Sequence, residues 1–93
     1  MSNSRPTDSI IEYPCEFGIK AFGKADSDFK PAVINIVKQH VENNHIDDSA
    51  VGEKKSKDGN YISLTVTIQA QSKQQMDAIY QELSDEPLVL LAL

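Results

Sequence analysis

The chemistry-bearing side chains of this sequence fall into three groups, and each asks for a different reaction. His40, Glu42, His45, Asp47 and Asp48 offer nitrogen and oxygen donors of the kind that hold metal ions. Their spacing matches no recurring ligand pattern, His40 falls on an apolar helical stripe and the others follow the helix end, so they read as a solvated turn and no metal is assigned. Cys15 would be a reactive thiol only beside a cation or a helix N-terminus; Pro14 and Glu16 flank it and no histidine is near in sequence, so it reads as a structural residue. Lys54, Lys55 and Lys57, with Tyr61 close by, could meet phosphate, but three lysines on an exposed hairpin also do what edge strands need, which is to discourage pairing with another chain. The sole arginine, Arg5, stands in a polar N-terminal stretch, and neither a Gly-x-Ser-x-Gly turn nor a phosphate loop occurs. No catalytic residue and no cofactor are assigned, and the chain is not expected to be an enzyme.

Composition narrows the partners. The 93 residues carry 9 Lys+Arg against 14 Asp+Glu, a formal charge of −5, and 40% are hydrophobic. That is enough for one small two-layer core and too little for a deep cleft within one subunit. An acidic field repels polyanions, which disfavours nucleic acid as a partner. One cysteine allows no intrachain disulfide, no stretch approaches the ~20 apolar residues of a membrane span, and the first residues lack the apolar core of a signal peptide. A cytoplasmic protein is expected.

The elements follow from period. Residues 1–10 are polar, show neither period and are expected to form a flexible arm, leaving 11–93 as the one folded domain. Cys15 to Phe22 alternates, with Cys15, Phe17, Ile19 and Ala21 on one face and Phe22 on the other; this predicts a strand ended by Gly23. Asp26, Ser27 or Asp28 can cap a helix in which Phe29, Val33, Ile36, Val37, His40 and Val41 form a stripe, stopping around Asn43 and Asn44. Residues 46–57 are expected as an edge strand, and Asp58-Gly59 as a tight turn. Tyr61 to Ala70 then alternates cleanly, with Ile62, Leu64, Val66 and Ile68 inward. Ser72 and Gln75 form a capping box ahead of Met76, Ile79, Tyr80 and Leu83, and Pro87 precedes a final strand, Leu88 to Leu93. Strand, helix, strand, strand, helix, strand predicts a ferredoxin-like βαββαβ fold, α+β, with a four-stranded antiparallel sheet and both helices on one face. The expected core is Phe17, Ile19, Val33, Ile36, Val37, Ile62, Leu64, Val66, Ile68, Met76, Ile79 and Leu83.

The last strand is apolar on both faces although helices cover only one. Leu88, Val89, Leu90 and Leu91 are therefore expected to supply an interface, with the outward pair, Leu88/Leu90 or Val89/Leu91, meeting a second copy or a partner protein. The alternative is that Ile10, Ile11, Glu12 and Tyr13 fold back over them.

Phe17-Gly-Ile-Lys20-Ala-Phe-Gly23, Ser56-Lys57-Asp-Gly59-Asn60-Tyr61-Ile-Ser63, Ile79-Tyr80-Gln-Glu82-Leu83 and the apolar terminus resemble the YbeD-like family of small bacterial proteins, from about Ile11 to Leu93. The resemblance implies a ferredoxin-like fold similar to ACT regulatory domains, a bacterial cytoplasmic location, and no catalytic residues to carry over. ACT-like domains pair with one another and bind small molecules near the first strand-to-helix loop, which here is Phe22, Gly23, Lys24, Ala25 and Asp26. A glycine there and the following helix N-terminus would favour a small anionic ligand. Two readings are thus carried forward: a homodimeric regulatory or ligand-sensing module, and a protein-interaction adaptor using the open sheet face or the last strand. RNA binding through the lysine hairpin is a weaker third.

Overall fold

The computed structural model describes residues 12–93, and the expected N-terminal arm, with Ile10 and Ile11, lies outside them. Its elements are β1 (Cys15–Lys24), α1 (Phe29–Lys38), β2 (Val51–Lys55), β3 (Tyr61–Ala70), α2 (Lys73–Asp85) and β4 (Leu91–Ala92). The strands make one antiparallel sheet in the order β2-β3-β1-β4, the ferredoxin-like arrangement. β1 and β3 are the long central pair, joined over ten residues from Cys15 opposite Ala70 to Lys24 opposite Tyr61. Their inward side chains, Ile19, Ala21, Ile62, Leu64, Val66, Ile68 and Ala70, close on Phe29, Val33 and Val37 of α1 and Met76, Ile79 and Leu83 of α2. Each large side chain so buried contributes roughly 1.5–3 kcal/mol relative to exposure. Phe17 and Ile36, expected in this core, are half-buried at its margin.

Several boundaries depart from the sequence expectation. β1 does not end at Gly23 but runs through it to Lys24, because Gly23 pairs with Ile62 and faces inward. A side chain cannot be placed there: a Cβ on Gly23 would lie 2.3 Å from Cδ1 of Phe29 and 2.8 Å from the carbonyl oxygen of Leu88. α1 is short at its far end, stopping at Lys38 rather than near Asn43. Val41 is extended and Asn43 and Asn44 take left-handed conformations (φ 62° and 48°), which asparagine tolerates better than most residues and which no right-handed helix can include. At its near end the capping side chain is Ser27, whose Oγ accepts from the Phe29 N–H at 3.2 Å while donating to the Lys24 carbonyl. The edge strand is confined to Val51–Lys55, since a 3-10 turn occupies Asp48–Ala50. α2 starts with one half of the expected capping box, the Ser72 hydroxyl accepting from Gln75 N–H; the Gln75 side chain reaches back one residue further, accepting from Gln71 N–H in place of the N-cap N–H.

The final strand is the largest departure. Only Leu91 and Ala92 pair as a strand, opposite Phe22 and Ala21. Before them the chain turns at Glu86, whose carboxylate accepts from Leu88 N–H and whose carbonyl accepts from Val89 N–H. Leu88 and Val89 both pack against the core, whereas Leu90, Leu91 and Leu93 are 58%, 52% and 61% exposed. Neither expected alternating pair is therefore the outward set. A turn ignores the two-residue period that a strand would impose.

Candidate functional site

The side of the sheet away from the helices is built by alternation from β1, β2 and β3. Register sorts its outward residues into rows that cross the strands. One row runs Lys54, Ser63, Phe22, Leu91 from edge to edge. The next toward the hairpin places Tyr61 beside Lys24, and the Ser56 N–H donates to the Tyr61 carbonyl on its other side. In the opposite direction lies Gly52, Thr65, Lys20, and then Leu93, which exchanges two backbone hydrogen bonds with Lys20 at 3.0 and 2.7 Å. The aromatic and aliphatic residues of the face, Phe22, Tyr61, Leu91 and Leu93, thus collect at one end. Beyond them the face is Thr67, Gly18, Gln69 and Glu16.

Three lysines ring that end. Lys20, Lys24 and Lys54 are exposed and form no ion pair with any described residue, in contrast to Lys30, held 2.7 Å from Glu53, and Lys73, held 2.9 Å from Asp77. The Glu53 carboxylate raises the pKa of Lys30 through that hydrogen bond, so this cation is already answered within the chain. Between Tyr61 and Phe22 the surface dips into a shallow bowl of about 190 Å³, walled by Phe22, Tyr61, Ser63, Ser56, Lys54 and Lys55, with Ile62 also in its lining. The hairpin beside the bowl is internally bonded: Ser56 Oγ accepts from Tyr61 N–H and donates to Asp58, and Asp58 also accepts from Asn60 N–H. These bonds pull the Asp58 carboxyl below its ordinary pKa, the Ser56 hydroxyl foremost.

The structure divides the residues expected around the first loop. Phe22 and Lys24 point to the open face and join the cluster. Gly23 lies inward under Phe29, Ala25 packs on the core and donates its N–H to Asn60, and Asp26 stands exposed in the turn. Of the four expected interface residues, Leu91 belongs to the cluster and Leu90 is exposed beside it, while Leu88 and Val89 are partly buried beneath. Lys20 and Leu93 are not among the expected site residues, and Lys54 and Tyr61 are expected only as part of the lysine hairpin, not as partners of Phe22. Alternation alone places Tyr61 outward, but what joins it to Phe22 is the β1–β3 register, which no local pattern states.

The histidines point elsewhere. His40 Nε2 meets Glu82 of α2 at 2.7 Å and His45 Nε2 meets Asp47 at 2.8 Å. Among the described residues no group of three or more metal-ligating side chains comes together, and no helix is long and apolar enough to cross a membrane.

Residues 8–93 match the sequence profile of DUF493, described as a protein of unknown function, and the chain belongs to that family. UPF0250 protein NE1487 of Nitrosomonas europaea is 44% identical over 86 residues, 92% of this chain and 97% of that protein. A UPF0250 protein of Bordetella pertussis is 38% identical over 93 residues, covering 100% of both chains. Among solved structures, the solution structure of protein HP0495 from H. pylori superposes with a TM-score of 0.59 at 19% identity, covering 99% of this chain and 98% of that one. That likeness extends the ferredoxin-like fold to a distant sequence.

Proposed function

We propose that this DUF493 family member is a non-enzymatic cytoplasmic adaptor, and that the apolar, lysine-ringed end of its open sheet face is what it presents to a partner protein. One observation carries the reading. In a chain of net charge −5, the outward residues of the sheet include three lysines without an ion-pair partner among the described residues and one glutamate, and the apolar residues are gathered at the lysine end. An apolar centre supplies affinity and a charged rim selects the partner, so the complement is an apolar patch rimmed by carboxylates. A second copy laid face to face would set lysines against lysines.

The homodimeric ligand-sensing reading has one observation in its favour, the three exposed leucines on and beside the edge strand β4, with the small anionic ligand then lying near Phe22 and Lys24. Sedimentation separates the two. The adaptor is expected to be a monomer at all concentrations and, when immobilised, to retain from an extract of its own bacterium a protein that a Phe22→Glu, Leu91→Lys chain does not retain, with retention weakening as salt is raised. A concentration-independent dimer that the same double replacement dissociates would establish the homodimer and retire the adaptor.

A further inference from the structure

We infer that the bowl between Phe22 and Tyr61 seats one apolar side chain of an extended acidic peptide segment, whose carboxylates two residues before and two residues after that anchor meet Lys24 and Lys54. The inference rests on the adaptor reading and specifies its partner. The bowl has an aromatic wall on each side, Phe22 on β1 and Tyr61 on β3, and a volume of about 190 Å³, room for one side chain and not for a folded ligand. Lys54 stands on the β2 side, in the row of Ser63 and Phe22, and Lys24 on the β1 side, in the row of Tyr61. Two strand spacings and one row of two residues put their Cα atoms about 12 Å apart.

That separation selects a spacing in the ligand. An extended chain advances about 3.3 Å per residue, so residues i−2 and i+2 are about 13 Å apart, and they point to the same side as residue i. Carboxylates at those two positions reach both lysines while the anchor is in the bowl, whereas carboxylates at i−1 and i+1 point away from the sheet. Single-stranded nucleic acid would also value aromatics and lysines. Its stacking mode wants successive platforms, and the next outward residues along β3 are Ser63, Thr65 and Thr67, while a long polyanion meets the repulsion of the whole acidic chain.

The test uses the full chain and three fluorescein-labelled peptides read by anisotropy: Glu-Ser-Phe-Ser-Glu, its rearrangement Ser-Glu-Phe-Glu-Ser, and Glu-Ser-Ala-Ser-Glu. The first is expected to bind saturably, with backbone amide NMR shifts confined to the residues lining the bowl and to Lys24 beside it. The rearranged peptide, of identical composition and charge, is expected to bind at least about threefold more weakly, and the alanine peptide about tenfold or more, the latter being the loss of one buried aromatic anchor. Lys54→Glu and Tyr61→Ser, both at exposed positions, should each weaken the first peptide by a similar factor with the melting temperature unchanged. Equal binding of the two glutamate spacings, shifts elsewhere on the molecule, or tighter binding of a thymidine oligonucleotide would each overturn the inference. Should the peptides fail while Phe22→Glu, Leu91→Lys still abolishes partner retention, the adaptor reading stands and the extended-peptide inference falls; should that double replacement leave retention intact, both fall.

Discussion

Replacing Gly23 with alanine adds one methyl group at the most crowded of the four glycine positions. Its Cβ would sit 2.3 Å from Cδ1 and 2.5 Å from Cγ of Phe29, and 2.8 Å from the Leu88 carbonyl oxygen. Ordinary contact begins near 3.4 Å, so something must retreat by roughly 1 Å. The Phe29 ring is fully buried at the first position of α1 and cannot swing to solvent, and the Leu88 carbonyl belongs to the turn that delivers β4. Overpacking of this kind costs about 1–3 kcal/mol, and for a domain of this size each kcal/mol lowers the melting temperature by about 4–8 °C. We expect Gly23→Ala to melt roughly 4–24 °C below the parent. Gly52→Ala is the control, because nothing lies within 4 Å of the Cβ it would add. Urea unfolding should confirm the loss as a shift in midpoint at constant slope. In a Phe29→Leu background the alanine should cost less than in the parent, since the two positions share one volume and their effects are not additive. If Gly23→Ala unfolds within about 0.5 kcal/mol of Gly52→Ala, the range of ordinary surface changes, the close-approach account of this glycine is wrong.

Two further outcomes follow from single side chains. The Asp58 carboxyl is held below its ordinary value of 3.8 by the Ser56 hydroxyl and the Asn60 N–H, so its ionised form favours the fold above that pH and the advantage is lost as pH falls through the lowered value; the stability gap between the parent and Asp58→Asn, measured by urea titration, should be constant near neutrality and close in acid, and a gap that widens in acid would refute it. Partial burial raises the pKa of the Tyr80 phenol above its ordinary value, and the phenol donates to the Leu93 carbonyl oxygen at 2.7 Å; Tyr80→Phe should cost about 0.5–1.5 kcal/mol at most and speed amide exchange at Leu93 and Lys20 before any other part of the sheet, whereas unchanged exchange there would mean the bond carries no weight.

The central sheet and both helices were legible because each rests on a local rule. β3 alternates over its whole length between aliphatic residues and hydroxyl or amide side chains, so its inward face could be named residue by residue. Ser72 announces the start of α2 by the hydrogen bond it accepts from Gln75 N–H, while the Gln75 side chain reaches back past it to Gln71 N–H. What misled was period read past its cause. His40 and Val41 continue the spacing of α1, yet they do so from unwound chain: the His40 and Val41 N–H groups reach Val37 and Lys38 in single turns, Val41 packs on the core, and the His40 ring is taken by Glu82. The stripe recorded burial, not helix. At Gly23 the residue type was informative and the explanation was not, because the need for glycine comes from Phe29 six residues on and from Leu88, distant in sequence.

The open face was the least legible part, for a reason that lies in the geometry of β4. A full-length edge strand would have turned alternate leucines inward, and its outward set would then follow from parity. Here only two residues pair, and the Glu86 turn carries Leu88 and Val89 together onto the core, so Leu90 and Leu91 emerge together. The same turn brings the Leu88 carbonyl so close to Gly23 that a Cβ there would lie 2.8 Å from it, so the turn in this position needs the missing side chain. Packing on the inner face therefore decides which leucine reaches the outer one, and through the Phe22–Leu91 pairing it brings Leu91 into the row that ends at Lys54. Gly23 belongs to the candidate site in this indirect sense: it holds the strand whose leucine completes the apolar end, while it faces the core itself.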